Sequence, residues 1–365
     1  MSKTKANKRL YEVAKAYGEA ALSKVFSEYD LLCVRSPGDT SYYVSVVSNT
    51  IVAFKGEVGL ASYLAMVARD EEASPVEMID LQMAQECLLA VFEDEKETLE
   101  EQDLALLEES GVSFSTAFPQ FRFKAQFRYP WQLTPEDEED MILIMEALLF
   151  AKEYFAGYGK TKESDSFTRW LDSLGLSDSM EVDYLPCLSR EGEGFAVTGC
   201  RLESEEYGVS FPQAFFTNEE RQLHFKRMKV KRGKILYYIT GIMMEPVMGE
   251  RDQRPLFPAF AISFDPQTDR ILDFPMVEDY QEEHAKFVES LLNLIEAQGK
   301  MQAIHCFGRR SLPLLEKIGP QMGIMVVDGG ENEMVNELVF SMFDELANMD
   351  DHEHGPHCDH DHDHD

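Results

Sequence analysis

Apolar residues recur along the chain in two periods, and their alternation maps a succession of short helices and strands. Near the amino terminus Leu10, Val13, Tyr17, Ala21 and Val25 lie at roughly helical spacing, which predicts an amphipathic first helix. Three β-rich runs follow, at 31–35, 42–47 and 50–54. They are divided by Ser36-Pro37-Gly38-Asp39 and by Ser48-Asn49, both turn-forming, so an antiparallel meander is predicted. Helical pattern resumes at 56–69, at 76–92 and in an acidic stretch ending near Gly111, while 120–127 has strand character. Thr134-Pro135-Glu136-Asp137 predicts a helix start, because threonine caps, proline suits the first turn and the acids favour the positive end of the helix dipole. That helix is expected to run through 141–156 and to stop at Gly157.

Beyond it, 158–180 is rich in Lys, Ser, Asp and Gly and reads as a linker. Strands are predicted at 195–201, 224–230 and 235–242, with Lys231-Arg232-Gly233-Lys234 as a hairpin turn between the last two. The runs 255–263 and 270–274 predict a second hairpin around Asp265-Pro266-Gln267-Thr268-Asp269. Helix 283–298, strand 302–307, helix 311–321, strand 324–327 and helix 333–347 then alternate, as parallel strands joined by right-handed crossovers do. The predicted class is α+β. An N-terminal domain at 1–157 has an antiparallel meander with helices, a linker covers 158–180, a mixed α/β domain covers 181–347, and a tail covers 348–365.

From Ala261 onward the strand and helix order is arranged like the ribonuclease H-like fold. Two-metal chemistry there needs anionic ligands from a first strand, a later strand and a helix. Asp265 is a candidate for the first and Glu333 or Glu337 for the last, but the middle position at 304–308 offers His305 and no acid. That gap argues for the fold without the nuclease chemistry. The run Gly157-Tyr158-Gly159-Lys160-Thr161 fails as a phosphate loop, because Tyr154 stands where the pattern needs glycine. No nucleophile elbow, paired Cys–His motif or glycine-rich dinucleotide turn is visible, so no catalytic residue and no organic cofactor is assigned. A binding role is favoured over catalysis, with a Zn or Ni storage or delivery factor and a degenerate ribonuclease H-like nucleic-acid-associated protein or enzyme as the alternatives.

The chain's 365 residues, 44% of them hydrophobic, can supply two cores. A net charge of −33, from 67 acids against 34 bases, opposes phosphate backbones and anionic lipid. One stretch runs against it: Lys226, Arg227, Lys229, Lys231, Arg232 and Lys234, flanked by Phe225, Tyr237 and Tyr238. Pairing with the protein's own carboxylates, or a solvated hairpin edge, is the commoner use of such a run. Nucleic acid is therefore not the expected partner, which is instead an unidentified protein or small ligand. With no signal-peptide pattern and no run near about 18 apolar residues, a membrane is not expected and the cytoplasm is. Cys33, Cys87, Cys187, Cys200 and Cys306 are scattered among apolar neighbours and read as reduced, packed thiols.

The tail changes the chemical picture. Residues 350–365 hold six of the nine histidines and seven carboxylates, with no basic residue. His352, His354, His357, His360, His362 and His364 offer imidazoles at a spacing of two or three, and Cys358 offers a thiolate. Borderline-soft divalent ions such as Zn and Ni prefer these ligands. Such a segment cannot bury enough apolar area to offset its ordering entropy, so it is expected to be disordered and to wrap an ion rather than present a rigid site.

Val52-Ala53-Phe54-Lys55-Gly56-Glu57 before Gly59-Leu60-Ala61-Ser62-Tyr63, the helix start Pro130-Trp131-Gln132-Leu133, and Leu314-Leu315-Glu316-Lys317-Ile318-Gly319 resemble stretches of a group of uncharacterised two-domain bacterial proteins, chiefly from Firmicutes. The resemblance implies a two-domain architecture and a bacterial cytoplasm. It carries over no functional residue, and the histidine-rich tail is not part of it.

Overall fold

The computed structural model describes residues 6–350 except 21, 23–25, 27–29, 70–74, 159–165, 177–182, 203–210 and 249–253. The chain forms two compact units. The first takes the described residues of 1–67, 84–126 and 130–209; the second takes those of 68–83, 127–129 and 210–350.

In the first unit, helix α1 (Lys8–Ala20) precedes the meander β1 (Leu31–Arg35), β2 (Ser41–Val47) and β3 (Thr50–Lys55). Both turns are those the sequence marks, with Asp39 and Ser48 at positive φ. Helix α2 (Gly56–Arg69) follows directly on β3. Gly59 is required at its start, since a Cβ there would lie 2.6 Å from the Glu86 carbonyl oxygen. After α3 (Pro75–Met83), which belongs to the second unit, come β4 (Cys87–Glu93), α4 (Glu101–Ser110), β5 (Phe118–Lys124), α5 (Pro135–Ala156), α6 (Ser166–Leu174), β6 (Asp183–Glu191) and β7 (Gly194–Leu202). The seven-stranded sheet has the order β5-β4-β3-β2-β1-β6-β7, antiparallel throughout except where β6 joins β1 in parallel.

Helix α5 starts where its sequence says. The Thr134 hydroxyl accepts from the Asp137 N–H at 3.2 Å, while the Asp137 carboxylate accepts from the Thr134 N–H at 3.1 Å. Met141, Ile142, Ile144, Met145 and Leu148 are buried in the core that also takes Leu32, Val34, Tyr42 and Val44 of the sheet. Among the described residues of 158–180, α6 is no linker: Phe167 and Trp170 pack on Phe155 and are buried. The expected boundary at 157–181 is therefore not where the units part, because β6 and β7 extend the first sheet. The predicted helix at 76–92 is also two elements, α3 and β4.

The second unit contains α3, α7 (Glu219–Arg227), β8 (Val230–Ile242), β9 (Val247–Met248), β10 (Pro255–Leu256), β11 (Ala259–Asp265), β12 (Arg270–Asp273) and β13 (Met276–Val277). It continues through α8 (Tyr280–Gln298), β14 (Lys300–Phe307), α9 (Ser311–Leu315), α10 (Ile318–Met322), β15 (Met325–Asp328) and α11 (Glu333–Asp350). Its mixed sheet has the order β12-β11-β8-β14-β15, with β13 also on β11. Strand β11 runs antiparallel to β8, while β8, β14 and β15 are mutually parallel, as the alternating pattern predicted for β14 and β15. The expected hairpin at 231–234 is absent. Residues 219–227 are helical, and β8 runs through Gly233, at φ +75°, with a register irregularity opposite Met301 and Ala303.

One face of this sheet carries the core of Leu236, Tyr238, Phe287, Leu291, Ile304 and Leu315; the other carries Val76, Ile239, Phe260, Phe307, Val335 and Val339. Lys300, only 2% exposed, donates from Nζ to the carbonyls of Phe225 and Lys226 at 3.1 Å and of Met322 at 3.0 Å. One ammonium thus caps the ends of two helices, where the dipole favours positive charge, although burial lowers its pKa.

Candidate functional site

Open α/β sheets leave a crevice beyond the carboxyl ends of their parallel strands where the connections diverge to opposite sides. Here that point lies at the ends of β8 and β14, since β8 leads to β11 on one side and β14 to β15 on the other. A cavity of about 450 Å³ occupies it. Its walls are apolar side chains from four elements, Val76 of α3, Ile239 of β8, Phe307 of β14 and Val335 of α11, while Glu77, Arg309, Asp328, Glu331, Asn332 and Asn336 supply polar groups.

Backbone geometry shapes the crevice. Gly308 turns the chain out of β14 at φ +82°, so close to β8 that a Cβ would collide with the Thr240 carbonyl oxygen. On the neighbouring strand the Asp328 carboxylate accepts from the Gly330 N–H at 3.0 Å, and the Gly329 N–H donates to the Cys306 carbonyl at 2.8 Å. Asn332 accepts from the Val335 N–H at 3.3 Å and so opens α11. These bonds fix both strand exits before any ligand arrives.

Behind the crevice lies a buried ion pair. Arg310, with its side chain 1% exposed, pairs through Nη1 with Asp80 of α3, 3% exposed. Its guanidinium carbon lies 4.9 Å from the ring centre of Phe127 and 5.3 Å from those of Phe211 and Tyr280. Burial lowers the Arg310 pKa, and the Asp80 carboxylate opposes that effect by favouring the charged form. Arg309 reaches the crevice itself, with Nε 3.9 Å from Glu77 and Nη1 3.9 Å from Asp80. Ser311 Oγ donates to the Phe307 carbonyl at 2.9 Å and ties the start of α9 to the end of β14. Burial pushes the Cys306 thiol up to about 12, so the one cysteine lining the cavity is a poor nucleophile.

The residues singled out from sequence are distributed differently. Asp265 ends β11, which runs antiparallel to β8, so it lies beside the middle of β8 and is not part of the crevice lining. Its carboxylate accepts from the Gln267 N–H at 3.0 Å, setting the hairpin turn. Glu333 and Glu337 are exposed on α11, and His305 stacks on Tyr237 at 5.7 Å. The carboxylate set that two-metal chemistry needs is therefore not assembled from these residues. Lys226, Arg227, Lys229, Lys231 and Arg232 are exposed at the end of α7 and the start of β8. The proposed metal ligands His352, His354, His357, Cys358, His360, His362 and His364 all lie outside the described residues. Among the described residues there is no group of three or more His, Cys, Asp or Glu side chains arranged to hold a metal ion. None of the described helices is long and apolar enough to cross a membrane.

Residues 8–169 match the family Domain of unknown function (DUF7309), and residues 224–343 match Domain of unknown function (DUF6930). The chain thus carries two successive domains of unknown function, as its resemblance to uncharacterised two-domain proteins implied. No curated protein and no solved structure matches it.

Proposed function

We propose that the chain is a cytoplasmic binding protein whose recognition site is the crevice of the second unit and whose tail collects divalent metal. The crevice carries the first part of this reading: an apolar floor with a few convergent polar groups is the usual make-up of a small-molecule site. Its chemistry favours a ligand with a flat apolar body and a polar edge. The body would lie between Ile239, Phe307 and Val335, and the edge would meet Arg309, Asn332 and Asn336. A ribonuclease H-like scaffold without its chemistry is the second reading, since Asp265 of the first strand, β11, lies outside the crevice lining while the later strand and the final helix bring Phe307 and Val335 to it.

The crevice is tested by equilibrium dialysis against a defined panel of nucleosides, aromatic amino acids and aromatic carboxylates, with retained compounds identified by mass spectrometry. The wild-type chain is expected to retain a member of the panel, and Asn336→Trp, which fills the cavity from α11, to lose it while keeping its circular dichroism. No retention, or equal retention by the variant, would overturn the assignment.

The tail reading rests on composition. Calorimetry with Zn and Ni at neutral pH is expected to give binding heat with the full chain and none with a truncation after Asp350, which leaves α11 entire. Neutral imidazole is the ligand form, so the ion should be released as the histidines protonate between about pH 7 and pH 5. Equal stoichiometry in both chains would move the metal elsewhere.

A further inference from the structure

Strands β1, β6 and β7 of the first unit each contribute one cysteine to the same face of the sheet. Leu32, Val34 and Leu188 point into the core beneath α5, so by strand alternation Cys33 and Cys187 point to the other side. Parallel pairing sets Cys33 directly beside Cys187, and their sulfurs are 3.5 Å apart. On β7, Cys200 stands opposite Leu185, two residues from Cys187, so its side chain lies on the same face, diagonal to Cys187. Cys33 is fully buried, Cys187 is 3% exposed, and Cys200 is open to solvent in part.

This arrangement separates the roles of the three sulfurs. Thiol hydrogen bonds from Cys187 and Cys33, with the positive charge of Arg35, favour the thiolate at Cys200 and lower its pKa. Hydrogen bonding to Cys187 and Cys200, together with burial, drives Cys33 in the opposite direction. The accessible sulfur is thus the nucleophilic one, and the two behind it are held as thiols.

We propose that Cys200, Cys187 and Cys33 form a thiol–disulfide relay that is oxidised by hydroperoxides. The Cys200 thiolate attacks a peroxide oxygen; the O–O bond breaks, the departing oxygen leaves with a proton as water or an alcohol, and Cys200 becomes a sulfenic acid. Cys187 then loses its proton and attacks the Cys200 sulfur; the S–O bond breaks, and hydroxide leaves with that proton as water. Two thiols have lost two electrons in total, and the peroxide has gained them. Finally Cys33 loses its proton to solvent and its sulfur attacks Cys187; the bond between Cys187 and Cys200 breaks, releasing the Cys200 thiolate and leaving the disulfide between Cys33 and Cys187. Neighbouring strands lie about 4.8 Å apart, within the Cα range a disulfide spans.

The relay is tested on the full chain. Alkylation of Cys200 by iodoacetamide should change less than about threefold between pH 5 and pH 8, whereas an ordinary thiol gains about tenfold per pH unit. After treatment with hydrogen peroxide, alkylation and trypsin digestion, peptide mapping should find Cys33 linked to Cys187 and Cys200 alkylated. Cleavage after Arg35, Arg190 and Arg201 separates the three cysteines. Cys200→Ser, with unchanged circular dichroism, should form the link at least tenfold more slowly. An ordinary pH profile at Cys200, or peroxide that yields Cys200 sulfinic acid without a disulfide, would overturn the proposal. So would equal oxidation rates in wild type and variant.

Discussion

Asp80→Asn should lower the stability of the second unit by about 3–5 kcal/mol, the usual effect of removing one partner from a buried ion pair. Asp80 holds the charge of Arg310, which is enclosed by Phe127, Phe211 and Tyr280 and has little access to water. With asparagine at 80 that charge keeps its aromatic neighbours but loses its counterion. For a unit of this size the loss corresponds to a midpoint shift of about 10 °C. The double variant Asp80→Asn with Arg310→Met should recover part of the loss, since removing both charges spares the uncompensated one. A single variant that melts within about 2 °C of wild type would show that Asp80 is not what neutralises Arg310.

Gly308→Ala should cost about 4 kcal/mol or more and abolish crevice binding. Two effects add: the φ of +82° disfavours any side chain, and the new methyl would be driven into the Thr240 carbonyl. Relief requires β14 and β8 to separate at their carboxyl ends, where the crevice is formed. Gly330→Ala is the control. Its φ is +61°, but a Cβ there meets nothing within 4 Å, so only the backbone term of about 1 kcal/mol applies. Equal denaturant midpoints for the two variants would show that the close approach at Thr240 is not a constraint.

Local signals proved legible where one segment carries the whole instruction. The Thr134-Pro135 cap, the stop of α8 at Gly299 and the Asp265 turn each depend on residues within a few positions of one another. Elements fixed by distant pairing were not legible. Strand β4 reads as a helix continuing α3, because Leu88 to Phe92 is apolar on both faces, and only its place between β3 and β5 makes it a strand. Strand β6 is specified by pairing with β1, far earlier in the chain. At 231–234 the residues suit a turn, yet β8 is paired with β14 along this stretch and the irregularity is absorbed opposite Met301 and Ala303. Similar reasons hid the sites. The crevice draws on α3, β8, β14, β15 and α11 without a linear motif, and Cys33, Cys187 and Cys200 meet only through strand register.

Helix α3 leaves the ribosome long before the sheet it covers. Its last residue, Met83, precedes Val230 at the start of β8 by about 150 residues. At ordinary synthesis rates the wait is on the order of 10 s. During that interval Val76 and Ile79, which end up against Ile239 and Phe307, have no native partner. Asp80 likewise waits for Arg310. The second unit therefore cannot mature in order from one end, and a gene fragment beginning at 210 would encode its sheet and α11 while omitting both the α3 share of the cover on one face and the only acid its buried arginine pairs with among the described ion pairs.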